Sequence, residues 1–443
     1  MVSLGCPKNA VDTELVLGDL QGDEYEITSD QKDADVIIVN TCGFIESSKK
    51  ESIAAILEMA ALKTEGKCKK LVVTGCLSER YNDELLKEIP EIDHMLGVNQ
   101  YPMLKQILKE SNSRQENTST NHIHEPAKYF ESYMNRVLTT PFYSAYLKLG
   151  EGCSNKCAFC IIPKIRGRFR SRAPESIIAE AEHFAQQGVK EFNLISQDTT
   201  MYGVDLKMKN GLVTLLKSLS KVEGLDWMRL FYCYPTFINS ELIDYIASES
   251  KVCNYIDVPL QHSHDFMLKR MKRQEKEKGV RNMLDELRTK VPGIALRTTF
   301  ITGFPGETDE HFRHLLNFVR EINFDHVGVF VYSHEEGTTA YNYKDLVPLE
   351  TASARRDELM WIQQEICRKK NAAKVGKVLP VLIEGTDPVE GYLVTGRLAT
   401  QAPEIDGQVI IEASEVESGK IVPMLITKST DYDLVACQAK QID

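Results

Sequence analysis

Apolar positions in the first hundred residues alternate between two periods. Val2-Ser3-Leu4-Gly5 reads as the tail of a strand, and Asp35–Asn40 and Lys70–Gly75 are apolar runs of strand length. Between the last two, Ser47–Leu62 places Ile53, Ile56, Leu57, Met59 and Ala60 at helical spacing. Such alternation predicts an open parallel sheet with helices on its faces. The chain starts inside its first strand, so the expected start lies further upstream. Ser111–Asn121 is polar and lacks apolar residues, which predicts a linker over 111–140.

A second α/β series begins near residue 144. Strands are predicted at Ala145–Leu149, Glu191–Ser196, Met228–Tyr232, Tyr255–Leu260, Ala295–Thr302 and His326–Tyr332. Helical patterns at Pro174–Gln187, Ser240–Glu249, Lys276–Lys290 and Asp309–Glu321 fall between them. Six strand–helix units are too few for an eightfold barrel. They predict a partial (βα)6 barrel with its site at the C-terminal strand ends. A long helix, Leu349 to about Lys374, leads to five short β-rich runs: Val378–Glu384, Gly391–Leu398, Gln408–Ala413, Ile421–Lys428 and Leu434–Ala439. These suit a small all-β barrel of oligonucleotide-binding (OB) type. The predicted class is therefore α/β, with an N-terminal open parallel α/β domain (1–110), a linker (111–140), a central partial barrel (141–373) and a small β-barrel (374–443).

Composition narrows the classes. With 443 residues, 42% hydrophobic and 26% charged, the chain reads as a multidomain globular protein. No apolar run approaches the roughly 18 residues of a membrane span, and the N-terminus shows no secretory leader. A cytoplasmic location and no membrane partner are the expectation. In a reducing compartment, eleven cysteines point to metal binding or catalysis rather than disulfides, and the odd number rules out complete pairing. A net charge of −11 argues against a broad cationic surface for nucleic acid.

Cys153, Cys157 and Cys160 form a C-x3-C-x2-C set directly after the first strand of the second series. Three thiolates on one short loop can hold three irons of a [4Fe–4S] cubane and leave the fourth open to a small molecule. The alternatives are a zinc knuckle lacking a ligand, or chance. Cys6, Cys42 and Cys76 each follow one of the three N-terminal strands, next to a glycine. Parallel strands end along one edge, so these three can converge on a second cluster; otherwise they are buried core cysteines. Cys68, Cys233, Cys253, Cys367 and Cys437 share no spacing and read as non-ligands.

The segment Glu151–Cys160, with Phe159 before the last cysteine, resembles the signature of radical S-adenosylmethionine enzymes. The resemblance implies a partial-barrel fold. It also implies an open iron that chelates the methionine moiety, and one-electron cleavage to a 5′-deoxyadenosyl radical. With the three-cysteine domain ahead and a small barrel behind, essentially the whole chain resembles the methylthiotransferases, whose small barrel is of TRAM type. Two branches matter, one acting on a tRNA adenosine and one on an aspartate of small-subunit ribosomal protein 12. Gly5-Cys6-Pro7-Lys8-Asn9-Ala10-Val11-Asp12 looks like the ribosomal branch, since the tRNA branch typically has Gln after that cysteine. Ser196-Gln197-Asp198-Thr199-Thr200-Met201-Tyr202-Gly203 and Arg229-Leu230-Phe231-Tyr232-Cys233-Tyr234-Pro235 look alike in the same sense. The resemblance implies two [4Fe–4S] clusters, S-adenosylmethionine, sulfide or polysulfide on the auxiliary cluster, and a one-electron reductant such as flavodoxin. One cofactor molecule would methylate the auxiliary sulfur; a second would supply the radical that activates the aspartate β-carbon.

Several further residues are cofactor candidates. Gln197 and Asp198 end the second barrel strand and can reach an amino group or ribose. Arg297, on the fifth strand, can clamp a carboxylate. Gly303-Phe304-Pro305-Gly306-Glu307 reads as an adenine-contacting loop. The basic run Lys164–Arg172 can meet RNA phosphate, hold the cofactor carboxylate or pair with acidic helices. The last domain carries six Lys/Arg against eleven Asp/Glu, a net of −5. That suits a basic ribosomal protein better than RNA, so tRNA is not expected as a partner. On this reading the small barrel is separable from radical generation. Besides the tRNA branch, the remaining rival is a two-cluster electron carrier. It would need full cysteine coordination and no substrate-sized barrel.

Overall fold

The computed structural model describes residues 1–22, 25–113, 119–123, 133–386, 394–412 and 416–439, without the side chains of 111–113. Parts of the expected linker and the ends of two expected strands at Gly391 and Ala413 lie outside these residues. So do Asp387, Glu390, Glu415, Lys440 and Asp443 of the barrel charge count. The chain forms two compact units. One comprises Met1–Thr139, Glu151–Asn155 and Cys160–Glu180; the other comprises Thr140–Gly150, Lys156–Phe159 and Ala181–Asp443.

In the first unit, β1 (Val2–Ser3), β2 (Val36–Thr41), β3 (Lys70–Gly75), β4 (His94–Met95) and β5 (Thr120–Asn121) lie in that order in one sheet. All four pairings are parallel. Helices α1 (Pro7–Leu20), α2 (Glu46–Glu65), α3 (Cys76–Glu88) and α4 (Leu104–Ser113) connect or follow the strands. Alternate residues of a strand face opposite sides. Ile37, Val39, Leu71 and Val73 accordingly pack with Ile56 and Met59 of α2. Ile38 and Val72 pack with Val16, Leu104 and Leu108 on the other side. A sheet covered on both faces needs apolar residues at both parities, hence the unbroken runs in the sequence.

The second series starts with β6 (Ser144–Lys148), followed by the short β7 (Gly150–Glu151), α5 (Ile162–Ile165) and β8 (Arg170–Ser171). Then come α6 (Pro174–Gln186), β9 (Glu191–Ile195), α7 (Gly211–Leu219), β10 (Trp227–Leu230), α8 (Ser240–Ser248) and β11 (Val252–Asp257). They are followed by α9 (Asp265–Arg270), α10 (Glu277–Lys290), β12 (Ala295–Thr302), α11 (Asp309–Ile322), β13 (His326–Val331) and α12 (Leu349–Ala372). Strands β6, β9, β10, β11, β12 and β13 form one six-stranded sheet in sequence order, parallel throughout, with β6 and β13 as its edges. The unclosed sheet is the partial barrel expected from six units.

The last five strands are β14 (Val378–Thr386), β15 (Val394–Leu398), β16 (Val409–Ile411), β17 (Ile421–Ser429) and β18 (Leu434–Gln438). They close in the order β14-β15-β16-β18-β17 around Val381, Ile383, Val409, Met424, Ile426 and Leu434.

This small barrel is not the detachable module that the sequence suggests. Five strands of the large sheet each send it one polar side chain. Glu191 of β9 meets Arg397 at 2.7 Å. Arg229 of β10 donates to the Ala399 carbonyl at 2.6 Å. Tyr255 of β11 donates to Asp406 at 2.9 Å. Arg297 of β12 stands 3.5 Å from the same carboxylate, and His326 of β13 stands 3.3 Å from it. Glu191 is fully buried between Arg229 and Arg397. Burial alone would raise its pKa, but Arg397 and then Arg229 outweigh this and hold the carboxyl well below the usual range. Removing one partner of a buried charge cluster costs several kcal/mol because the remaining charge stays desolvated. Arg397→Met is therefore expected to lower unfolding stability by about 3 kcal/mol, read from the denaturant midpoint. A change below about 1 kcal/mol would show that the cluster contributes little.

Candidate functional site

Three elements of the first unit bring Cys6, Cys42 and Cys76 together. Cys6 is the N-cap of α1, Cys42 follows β2, and Cys76 opens α3. Two of the three therefore sit at helix N-termini, where free N–H groups and the helix dipole favour a thiolate. Close approach depends on glycine. A Cβ on Gly5 would lie 2.7 Å from Cys42 Cβ, and one on Gly43 would lie 3.0 Å from the Cys76 carbonyl carbon. Ser52 fixes the Cys42 backbone, accepting from its N–H at 2.9 Å and donating to its carbonyl at 2.8 Å. Burial pushes the Cys76 thiol up to about 12; Arg166 opposes the rise, while Cys6 and Cys42 add to it. A Cβ on Gly5, the residue before Cys6, would also lie 3.0 Å from Cys42 Sγ.

Sequence reading missed the polar cradle beneath these thiols. Cys76 Sγ donates to Asn9 Oδ1 at 3.7 Å, and Asn9 Nδ2 donates to the Leu4 and Thr41 carbonyls. Arg166, 1% exposed, donates to Asn9 Oδ1 at 2.5 Å and pairs with Asp12 and Glu151 at 3.0 Å each. Asn9 and Asp12 lie inside the motif around Cys6, so that signal was present. Of the readings open for the basic run 164–172, pairing with acidic helices is the one seen for Arg166 and Arg172. Arg172 pairs with Glu180 at 2.5 Å and Arg170 reaches the Arg166 carbonyl, so the arginines of the run that turn inward serve this unit. Lys164 and Arg168 stay exposed. Among the described residues no three His, Cys, Asp or Glu side chains are arranged to share a single metal ion. Cubane thiolates each bind a different iron, which is the arrangement such a donor set suits.

The loop with Cys153, Cys157 and Cys160 is fixed at several points. Cys153 N donates to the Gly167 carbonyl at 3.1 Å within the first unit. Within the second, Ala158 N donates to Met271 and Ala340 N donates to Ala158, both at 2.8 Å. Phe159 meets Phe304 edge to face at 6.4 Å, and Phe304 meets Tyr332 at 5.2 Å. Cys157 Sγ accepts from Arg273 at 3.8 Å. Burial raises the Cys157 thiol, with Arg273 opposing. Arg273 also pairs with Glu275 at 2.5 Å, donates to the Pro259 carbonyl at 2.7 Å and lies over the Tyr234 ring at 4.1 Å. Nothing in the sequence singled out Arg273.

The other predicted residues fall as follows. Asp198, 1% exposed, accepts from Thr200 at 2.7 Å. It stands near Cys233, whose thiol is raised by burial, then by Asp257 and Asp198. Gln197 precedes it, just past β9. Arg297 pairs with Asp257 at 3.1 Å as well as with Asp406, so its guanidinium is already committed to protein carboxylates. Asp257, missed in the sequence, accepts from Tyr232 N at 3.0 Å. Tyr232 (φ 55°) and Gln261 (φ 70°) follow β10 and β11 in the left-handed region, and backbone strain of this kind gathers at functional strand ends. In the Gly303–Glu307 loop, Glu307 is held by Arg355 at 2.7 Å and by Gly303 N, while Phe304 meets Phe159 of the cysteine loop.

Residues 1–97 match Uncharacterized protein family UPF0004, residues 147–319 the Radical SAM superfamily and residues 375–438 the TRAM domain. Over 435 residues the chain is 47% identical to "Ribosomal protein uS12 methylthiotransferase RimO" of Pelobacter propionicus, covering 98% of this chain and 96% of that one. The protein of the same name from Geobacter sulfurreducens is 48% identical over 98% and 97%. That from Clostridium botulinum is 49% identical over 98% and 96%. The chain belongs to the uS12 methylthiotransferase family. As a family member it is a transferase of radical S-adenosylmethionine type, using a [4Fe–4S] cluster and S-adenosylmethionine. Among solved structures, a radical S-adenosylmethionine methyltransferase, TsrM from Kitasatospora setae, superposes with a TM-score of 0.49 at 16% identity, covering 68% of this chain and 64% of that one. Among the described residues of this uS12 methylthiotransferase family member, no helix is long and apolar enough to cross a membrane.

Proposed function

We propose that this protein attaches a methylthio group to the β-carbon of an aspartate in ribosomal protein uS12. The observation that carries the reading is near-full-length identity of 46–49% to uS12 methylthiotransferases, joined to two three-cysteine sets at strand ends. Residues 1–110, 141–373 and 374–443 are read as its three functional domains.

Cys153, Cys157 and Cys160 would hold one [4Fe–4S] cluster, with Phe159, Gln197 and Asp198 as candidate residues around its S-adenosylmethionine. Cys6, Cys42 and Cys76 would hold a second cluster carrying sulfide or polysulfide, and a one-electron reductant such as flavodoxin would serve the enzyme. When bound, these groups supply radical chemistry strong enough for an unactivated C–H bond, and the sulfur to be transferred. The chain's own part is orientation and charge. Asn9 accepts from Cys76 and ties α1 to the ends of β1 and β2. Arg166 places a buried positive charge beside thiols that must ionise. Arg273 does the same for Cys157.

Supporting residues of this kind typically govern metal affinity by 10–100-fold. Arg166→Gln is expected to reduce iron retained by the N-terminal cysteines roughly tenfold under chelator challenge, while the cluster of the central loop persists. Equal loss from both sites would deny Arg166 its local role. The function itself is tested by offering purified uS12 and bulk tRNA side by side to the reconstituted enzyme. Mass spectrometry should find the methylthio group on uS12. Its appearance on tRNA alone would overturn the reading.

A further inference from the structure

A buried charge pair stands against the central cysteine loop. The side chains of Arg273 and Glu275 are only 4% and 5% exposed, and they meet at 2.5 Å. The guanidinium is fixed from several directions. Its Nε donates to Glu275 Oε1, its Nη2 donates to the Pro259 carbonyl at 2.7 Å, and its central carbon lies 4.1 Å from the centre of the Tyr234 ring. Tyr234 is itself held, since its hydroxyl accepts from Gln274 N at 3.3 Å. The remaining nitrogen, Nη1, donates to Cys157 Sγ at 3.8 Å.

Two features go beyond what anchoring requires. A buried ion pair adds little to folding compared with apolar residues of its size. This one nevertheless directs an N–H at a sulfur that the central loop offers to iron. The carboxylate is also used by halves. A glutamate that served only to hold an arginine would engage it with both oxygens, the strongest form of the pair. Glu275 Oε2 is instead buried without a hydrogen-bond partner among the described residues. Its charge is thus only partly cancelled, and about one guanidinium's width separates it from the Cys157 sulfur.

We propose that Arg273 and Glu275 form an opposed pair that sets the reduction potential of the cluster on the central loop. The arginine raises the potential and the glutamate limits the rise. The inference rests on Cys157 being a cluster ligand, and adds two residues that tune how readily the cluster takes up and gives away its electron. Reduction adds one negative charge, and hydrogen bonds to the sulfurs, net charge and solvent exposure set iron–sulfur potentials. A cation on the sulfur favours the reduced state, while a carboxylate behind it disfavours that state. Neither charge is screened much at this depth. A potential set too high would leave a weak donor to S-adenosylmethionine, and one set too low would leave the cluster oxidised.

Potentiometric titration followed by electron paramagnetic resonance tests the pair. It uses the full chain with Cys6, Cys42 and Cys76 changed to alanine, so that only the central cluster gives a signal. Arg273→Gln should lower the midpoint, making the reduced-to-oxidised ratio at a fixed potential about tenfold smaller, about 59 mV for one electron. Glu275→Gln, nearly identical in shape, should move the ratio the opposite way by about threefold. Arg273→Lys, which keeps the charge, should recover part of the loss. A loop that had merely loosened would admit water and shift both glutamine variants in one direction. Shifts of one sign, or ratios within about twofold of the parent, overturn the proposal and leave the cluster assignment standing. If the alanine background shows no cluster signal, the assignment of Cys153, Cys157 and Cys160 fails, and the role of the pair with it.

Discussion

Protein in which Cys153, Cys157 and Cys160 are all alanine will retain about half of its iron and release no 5′-deoxyadenosine. Two three-cysteine sets imply about eight irons in the anaerobically reconstituted parent, four per cubane. The variant should therefore hold about four. The two sets belong to different loops: Cys6, Cys42 and Cys76 all lie at the ends of elements of the first unit. Losing one set should not empty the other. Iron determination together with chromatography of the nucleoside product checks both statements. Iron near zero would mean that the N-terminal thiols hold nothing alone, and undiminished iron would mean that the central loop holds none.

The complementary variant separates two activities. With Cys6, Cys42 and Cys76 all alanine, reductive cleavage of S-adenosylmethionine should continue and methylthio transfer to uS12 should disappear. Cys157, Arg273 and the Phe159–Phe304 contact are untouched by these changes. Transfer that survives the triple substitution would return the three cysteines to the core. Buried cysteines are common enough for that to be the default without the convergence seen around Asn9 and Arg166.

Much of this was legible in the sequence, for physical reasons. A parallel sheet covered on both faces demands apolar residues at both parities, so β2 and β3 stand out as runs. The cysteines were found because each follows a strand, and parallel strands end on one edge. Long-range polar partners were not legible. Arg166 reaches Asp12 and Asn9 across more than 150 positions, and its charge alone fits RNA, cofactor or carboxylate equally well. Arg273 carries no motif at all. The composition of residues 374–443 gave the barrel's charge but hid that Arg397 is spent on buried Glu191 rather than on a surface partner.

The Glu191–Arg397 pair also has a consequence for the newborn chain. Glu191 emerges from the ribosome 206 residues ahead of its second arginine. Until then a carboxylate destined for full burial has only Arg229, and water remains the better place for it. The large sheet should therefore reach its final packing only after Arg397 has emerged. A chain truncated before Arg397 should be recognised and degraded by cellular proteases rather than persist as a half-built radical enzyme.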